Sequence, residues 1–345
     1  MRLVWPDLSR GVAVLAMFVA HTAPGGGPLL LSEFLAAPLF AMLVVASLGL
    51  SWERRSTSAG RWYLVQALRG LLLIMLGVLL QGVYAQIVIV LQTLGGLTIV
   101  AAALVPVLAS RPLLALLGGV VGMVVSPWLM GAARSVDTTS ALGGWVLDVL
   151  ATGSSYRVLT FLVFGLFGLA LSGLIRSRWW VVGRGAVIAT LVTGVWVAIF
   201  AVDRLGDQSI NARFGYTGTT FAIFLDVLIS ATVVLAAALA QPALGRKRAD
   251  RVFRPLTATG RLALTAYVLQ IVLLAVIVRF VLDGGADDGW GVLGFLILSI
   301  VGFCTLWDVR GWPRPVESLL RLPGHLLARR TGGDDRESAI RGDRV

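Results

Sequence analysis

Apolar runs of about twenty residues recur along almost the whole chain, and the stretches between them are too short to hold a soluble domain. As an α-helix, a run of that length crosses the roughly 30 Å hydrocarbon layer of a bilayer, where each backbone N–H and C=O must be satisfied inside its own segment. By that ruler spans fall near residues 8–23, 33–52, 63–82, 86–109, 112–131, 156–175, 180–202, 218–240, 257–281 and 290–307. The expected fold class is therefore all-α, a polytopic integral membrane helical bundle of about ten transmembrane helices. Composition agrees, because 57% of the 345 residues are apolar and only 14% are charged, far from the usage of soluble domains. Residues 1–325 read as one transmembrane domain, and 326–345, polar and glycine-containing, as a disordered cytoplasmic tail. The start lacks a small-residue cleavage site, so its apolar run reads as a retained first span.

The net charge of +11 would prompt a search for nucleic acid in a soluble protein. Here the basic residues cluster in alternate connections, so the charge reports orientation and no nucleic-acid partner is implied. "SWERRSTSAGRW", "ASRP", "IRSRWWVVGR", "LGRKRADRVFR" and "VRGWPRPVESLLR" fall on one side with the N-terminus. "HTAPGGGPLLLSE", "VYAQ", "ARSVDTTSALGG", "DRLGDQSINARFGY" and "DGGADDGW" fall on the other. About 24 of the 29 basic residues are then inside, and both termini are predicted to be cytoplasmic. Within the longest outer connection, "GGWVLDVLATG" reads as a short helix that lies at the interface or dips back into the membrane, and Trp145 suits the interface.

The first span, "DLSRGVAVLAMFVAH", carries three titratable groups. A separation of eleven returns a helix to within about 20° of its starting direction, so Arg10 and His21 share a face, about 16 Å apart along the axis. Asp7 lies three residues before Arg10, within ion-pair reach. Two readings stand at this point. Asp7 caps the helix, Arg10 snorkels to headgroups and His21 ends the span, or the stripe marks a polar path across the membrane.

One cysteine and two histidines supply too few ligands for zinc, iron–sulfur or multi-histidine sites, so no metal is expected. Asp226, in "FAIFLDVLIS", puts a carboxylate inside an apolar run, where it either faces a polar cavity or pairs with a cation such as Arg213. Gln81, Gln86, Gln92, Thr219, Thr220, Tyr267 and Gln270 are further polar groups in apolar surroundings, and "LGGL" and "LGGVVG" read as close helix packing.

"RLVWPDLSRGVAVLAMFVAH" resembles the first helix of the transmembrane acyltransferase superfamily, whose membrane O-acetyltransferases carry an Arg, ten residues and a His. The "D…RG" start resembles its heparan-alpha-glucosaminide N-acetyltransferase-like branch. "FLAAPLFAMLVVASLGLS", "YRVLTFLVFGLFGLALSGLI", "YTGTTF", "FRPLTATGRLALTAYVLQ" and "RGWPRPVESLLR" resemble later segments of that branch in order and spacing, nearly end to end. Related bacterial sequences carry further histidines where this chain has Tyr216 and Gln270, a departure that bears on activity.

The resemblance implies a multi-pass enzyme of the bacterial inner (plasma) membrane, with acetyl-CoA or another acyl-CoA as donor and an extracytoplasmic glycan, glycolipid or cell-wall lipid as acceptor. Membrane lipids surround it, and its oligomeric state is open, a homodimer included. Arg10, with Arg69, Arg111 and Arg261 near cytoplasmic helix ends, would hold the CoA phosphates. Asp7, Gln92, Tyr267 and Gln270 are expected along the donor path. His21 would act as general base or acyl carrier, oriented by a carboxylate from among Glu33, Asp148, Asp203 and Asp226, of which Asp226 and Glu33 are the preferred pair. Two other classes remain open on the residues alone: a proton-coupled transporter or lipid flippase using His21 and Asp226 as a relay, and a membrane subunit without activity.

Overall fold

A computed structural model of the chain describes residues 3–24, 29, 31–83, 87–177, 187–188, 190–196, 217–244, 246–285, 287–324 and 326–327. Among these, the regular elements are helices: α1 (Trp5–Thr22), α2 (Leu31–Glu53), α3 (Ala59–Gln81), α4 (Leu91–Leu108), α5 (Pro112–Ala133), α6 (Ala141–Leu147), α7 (Val158–Arg176), α8 (Thr220–Leu244), α9 (Arg246–Val252), α10 (Arg254–Arg261), α11 (Ala263–Phe280), α12 (Trp290–Arg310) and α13 (Pro315–Leu319). Eight of the described helices, α2 to α5, α7, α8, α11 and α12, are long and apolar enough to cross a membrane. The chain is thus an all-α multi-pass membrane protein.

The helix least like a lipid-facing span sits at the centre. In α1, Pro6 occupies the first turn, where a missing N–H costs nothing, and Asp7 faces the positive end of the helix macrodipole. Ala13, Val14 and Phe18 have no exposed surface, and α1 packs against α2, α8, α10, α11 and α12. By contrast α3 and α5 are peripheral. They present Leu71, Met75, Leu117 and Trp128 outward, as suits faces whose solvent is hydrocarbon.

Small residues set how closely the helices approach. A Cβ on Gly260 would lie 1.8 Å from the carbonyl oxygen of Asp7, and one on Gly11 would lie 2.1 Å from that of Leu256. Backbone therefore rests on backbone between α10 and α1. α3 and α4 cross in the same way, a Cβ on Gly70 or Gly95 coming within 2.6 and 2.5 Å of the other glycine's carbonyl oxygen. In "LGGVVG", Gly119 and Gly122 admit Phe167 and Val163 of α7, each at 3.0 Å from a Cβ built there. Close packing is thus what both glycine-rich stretches do.

The span boundaries need two corrections. The run 257–281 is not one straight helix: it is divided at Leu262, whose φ of −109° and ψ of 28° end α10 and begin α11. The division is held from outside, because Glu317 accepts hydrogen bonds from the Thr265 backbone N–H (3.0 Å) and Oγ1 (2.7 Å), placing a carboxylate at the start of α11 where helix N–H groups lack partners. The fourth helix begins at Leu91 rather than 86, and the N–H of its flanking residue Val90 donates to the Tyr267 hydroxyl at 3.2 Å. Of the run 180–202 only 187–188 and 190–196 are described, and they are helical. The expected short helix is present as α6, capped by the Ser140 hydroxyl and continued by a π-helical turn, Asp148–Thr152.

Candidate functional site

At one end of the bundle, four charges from three helices meet. Asp7, buried in α1, accepts from Arg10 Nη1 at 3.5 Å and from Arg261 Nε at 3.3 Å. Arg261 Nη1 also donates to both carboxylate oxygens of Asp308 in α12, at 3.1 and 2.8 Å. Arg10 Nη2 donates to Ser47 Oγ of α2 at 2.5 Å, and that hydroxyl donates onward to the Leu43 carbonyl. The backbone approach of Gly260 onto Asp7 brings Arg261 into this network, so the packing glycine and the charge beside it form one device.

The network borders a cavity of about 310 Å³. Arg10, Arg261, Arg314 and Glu317 form its polar end, while Phe40, Val44, Leu73, Leu91, Leu94 and Tyr267 supply an apolar wall. Three of its lining residues, Phe40, Val90 and Tyr267, also line a second cavity of about 20 Å³ that contains His21, Met17 and Tyr156, enough for about one water molecule. Within it, His21 Nδ1 lies 3.0 Å from Gln270 Nε2. Ala37 is shared in turn with a third cavity of about 30 Å³, lined by Glu33, Pro38, Arg157 and Asp226 among others. Pro38 sits inside α2 and has no N–H for the Phe34 carbonyl, and both residues line this third space. Arg157 is buried there, its Nε and Nη2 donating to the carbonyls of Gly153 (2.5 Å) and Ser154 (3.0 Å). Gly218, at φ +70°, leaves room beside it, since a Cβ would come 2.8 Å from Arg157 Nη1.

Shared walls thus connect a cationic end, a central imidazole and a carboxylate-bearing end. Of the residues singled out in the sequence, Arg10, Arg261 and Tyr267 line the large cavity, His21 the small one, and Glu33 and Asp226 the third. Gln270 differs from its expected place on the donor path, because its amide contacts the histidine, where a carboxylate was expected. No hydrogen bond or ion pair between His21 and Asp226 is seen, and one oxygen of Asp226 is buried without a hydrogen-bond partner among the described residues. Asp148 instead accepts from the Thr152 hydroxyl at 2.6 Å in the exposed π-helical turn. Asp203, Arg213, Tyr216, Gln86 and His325 lie outside the described residues.

Five expected donor-site residues line none of these cavities: Asp7, held in the ion-pair network, Gln270, held at His21, and Arg69, Arg111 and Gln92. Arg69 donates to the Leu320 carbonyl and to Gln66, Arg111 flanks the start of α5 as an exposed residue, and Gln92 packs against Gly77 at the α3–α4 crossing. Gln81, Thr219 and Thr220 are exposed. Sequence reasoning passed over Ser47, Arg157, Asp308, Arg314 and Glu317. Arg157 carried one usable signal, as one of few basic residues on the arginine-poor side, and Arg314 and Glu317 stood inside the quoted "RGWPRPVESLLR". Ser47 stood inside the quoted "FLAAPLFAMLVVASLGLS", and Asp308 carried no signal.

Asp308→Asn is expected to lower stability by about 1–3 kcal/mol, the range for a charge-assisted hydrogen bond lost in partly buried surroundings. Thermal unfolding of the detergent-solubilised protein measures this. An unchanged midpoint would mean that the Arg261–Asp308 pair is energetically idle.

Residues 176–323, fewer than half of the 345, match the model of a family described as a protein of unknown function (DUF418). No curated protein matches the chain.

Proposed function

We propose that this protein is a membrane acyltransferase. It takes an acyl group, acetyl in the simplest case, from acyl-CoA at the cytoplasmic face and transfers it to an extracytoplasmic glycan, glycolipid or cell-wall lipid. The observation that carries this reading is the line of three cavities joined by shared residues, with arginines at one end and His21 in the middle. The alternation of basic loops supports an arginine end inside, and the likeness of the first helix to that of membrane acetyltransferases supports the reaction type.

In this reading Arg10, Arg261 and Arg314 pair with CoA phosphates, for which the planar guanidinium is suited by bidentate geometry. The apolar wall of Phe40, Val44, Leu73 and Leu94 takes the pantetheine arm, and the thioester reaches the small cavity at His21. The bound CoA ester supplies the activated acyl carbon, and the protein supplies proton transfer and exclusion of water. Gln270 decides which ring nitrogen is protonated. With its N–H donating to Nδ1, the neutral ring keeps its proton on Nε2 and can polarise the acyl carbonyl. With the amide turned over, Nδ1–H donates to Oε1 and Nε2 becomes the base that receives the acceptor's proton. The acceptor reaches His21 from the cavity of Glu33, Arg157 and Asp226.

The test is ligand-induced stabilisation of the purified protein. Acetyl-CoA is expected to raise the unfolding midpoint more than ATP does, and Arg10→Gln to weaken acetyl-CoA binding by about tenfold or more, as loss of a charge-assisted phosphate contact requires. Absence of any CoA-specific stabilisation overturns the proposal.

A further inference from the structure

The segment that walls the polar end of the large cavity borders a separate groove on its far side. Leu68, Leu71, Leu72 and Met75 of α3, together with Leu322 and Leu326, line most of a space of about 680 Å³. No residue lining this groove lines the large cavity. α3 turns this face outward, Leu71 and Met75 being 53% and 54% exposed, so the groove opens to the bilayer.

Its head is cationic. Arg69, between Leu68 and Leu71 in α3, donates Nε to the Leu320 carbonyl at 2.7 Å and Nη1 to Gln66 Oε1 at 3.2 Å. The next residue after Leu320 is Arg321, and its charge acts on that of Arg69. Eight residues earlier on α3, Arg61 donates to the Leu327 carbonyl. Arginine–carbonyl bonds thus hold Leu320 and Leu327 against α3. Carbonyls satisfy N–H groups and leave the charge in place, and among the described residues no carboxylate pairs with Arg69 or Arg321. The Arg69–Leu320 bond therefore brings a second guanidinium, on the exposed residue that follows Leu320, to the same end of a hydrocarbon-lined groove, and like charges there raise each other's energy. An anion carrying an acyl chain relieves both features together, and basic pockets between helices on the cytoplasmic side are known to take such head groups.

We propose that this groove binds an anionic phospholipid, with its phosphate between Arg69 and Arg321 and one acyl chain along Leu68, Leu71, Leu72 and Met75. Arg69 then serves a lipid phosphate and not CoA. Leu320, whose carbonyl Arg69 holds, also lines the large cavity, so lipid occupancy steadies one wall of that cavity. The proposal stands independently of the acyltransferase reading, because the groove exists whatever the cavity beyond it does.

The full-length protein is purified in detergent and offered phosphatidylglycerol and phosphatidylcholine at equal concentration, with retention read by native mass spectrometry. Wild type is expected to retain phosphatidylglycerol preferentially. Arg321→Gln, on an exposed side chain, reduces that preference about fivefold, the effect of one cation near an anionic head group, and adding Arg69→Gln reduces it further. Met75→Trp, which fills the groove without touching charge, lowers retention of both lipids. Arg10→Gln leaves the preference unchanged. Equal retention of the two lipids by wild type, a preference that survives the double arginine variant, or displacement of the lipid by acetyl-CoA each overturns the proposal.

Discussion

If the protein is the acyltransferase proposed above, His21→Ala is expected to cut acyl transfer steeply while acetyl-CoA binding persists. His21 lines the middle cavity and lies outside the arginine-rich end, so truncating it removes proton transfer and leaves the phosphate contacts alone. General acid–base catalysis contributes about 10²–10⁴-fold, and transfer from radiolabelled acetyl-CoA to extracted membrane glycans and lipids in proteoliposomes should fall by that factor. Gln270→Ala separates orientation from chemistry. The imidazole remains, so the rate should fall less than in His21→Ala, with its pH profile displaced because the Nδ1 contact at 3.0 Å is gone. Transfer that persists at the wild-type rate in His21→Ala would remove the histidine from the mechanism.

Gly260→Ala should produce the largest loss of stability of any conservative change considered. Its new Cβ would sit 1.8 Å from the Asp7 carbonyl oxygen, with the Gly11 nitrogen at 2.8 Å. Neither obstacle is a side chain that can rotate away. α10 must back off from α1, and Arg261 then loses its place beside Asp7 and Asp308. Overpacking costs about 1–3 kcal/mol in cores that yield, and separating a partly buried carboxylate from its guanidinium adds to that. A monodisperse peak on size-exclusion chromatography should be lost or its unfolding midpoint lowered sharply. Gly302→Ala in α12, where a Cβ meets nothing within 4 Å, is the matched control and should be silent. Equal behaviour of the two variants would show that the α1–α10 contact is looser than its geometry implies.

The membrane fold was legible because hydrocarbon acts as a solvent on every residue of a span, and twenty apolar residues in a row are visible without knowing any contact. The α1 stripe was legible for a similar reason: helical geometry alone places Asp7, Arg10 and His21 on one face. What failed to be legible was partner choice. The kink at Leu262 depends on Glu317 reaching back from a helix more than fifty residues later, and the start of α4 at Leu91 depends on the Tyr267 hydroxyl. Arg69, Arg111 and Arg261 look alike as arginines near helix ends. Only packing sends Arg261 to the buried Asp7, Arg69 to the Leu320 carbonyl, and Arg111 to an exposed position.

The amino-acid sequence by itself determined that the chain lies in a membrane as helices and that one helix carries a cation and an imidazole along one face. Local periodicity and transfer free energy act within each segment, so they can be read from it. Tertiary structure alone decided that this helix would be central, that Gln270 would hold the histidine, and that the cavity beside Arg10 and the one at His21 would share Tyr267 as a wall. A cavity belongs to no single helix. It is what remains when several helices pack, and glycine contacts such as Gly260 on Asp7 and Gly11 on Leu256 set its width by fixing how near their backbones come.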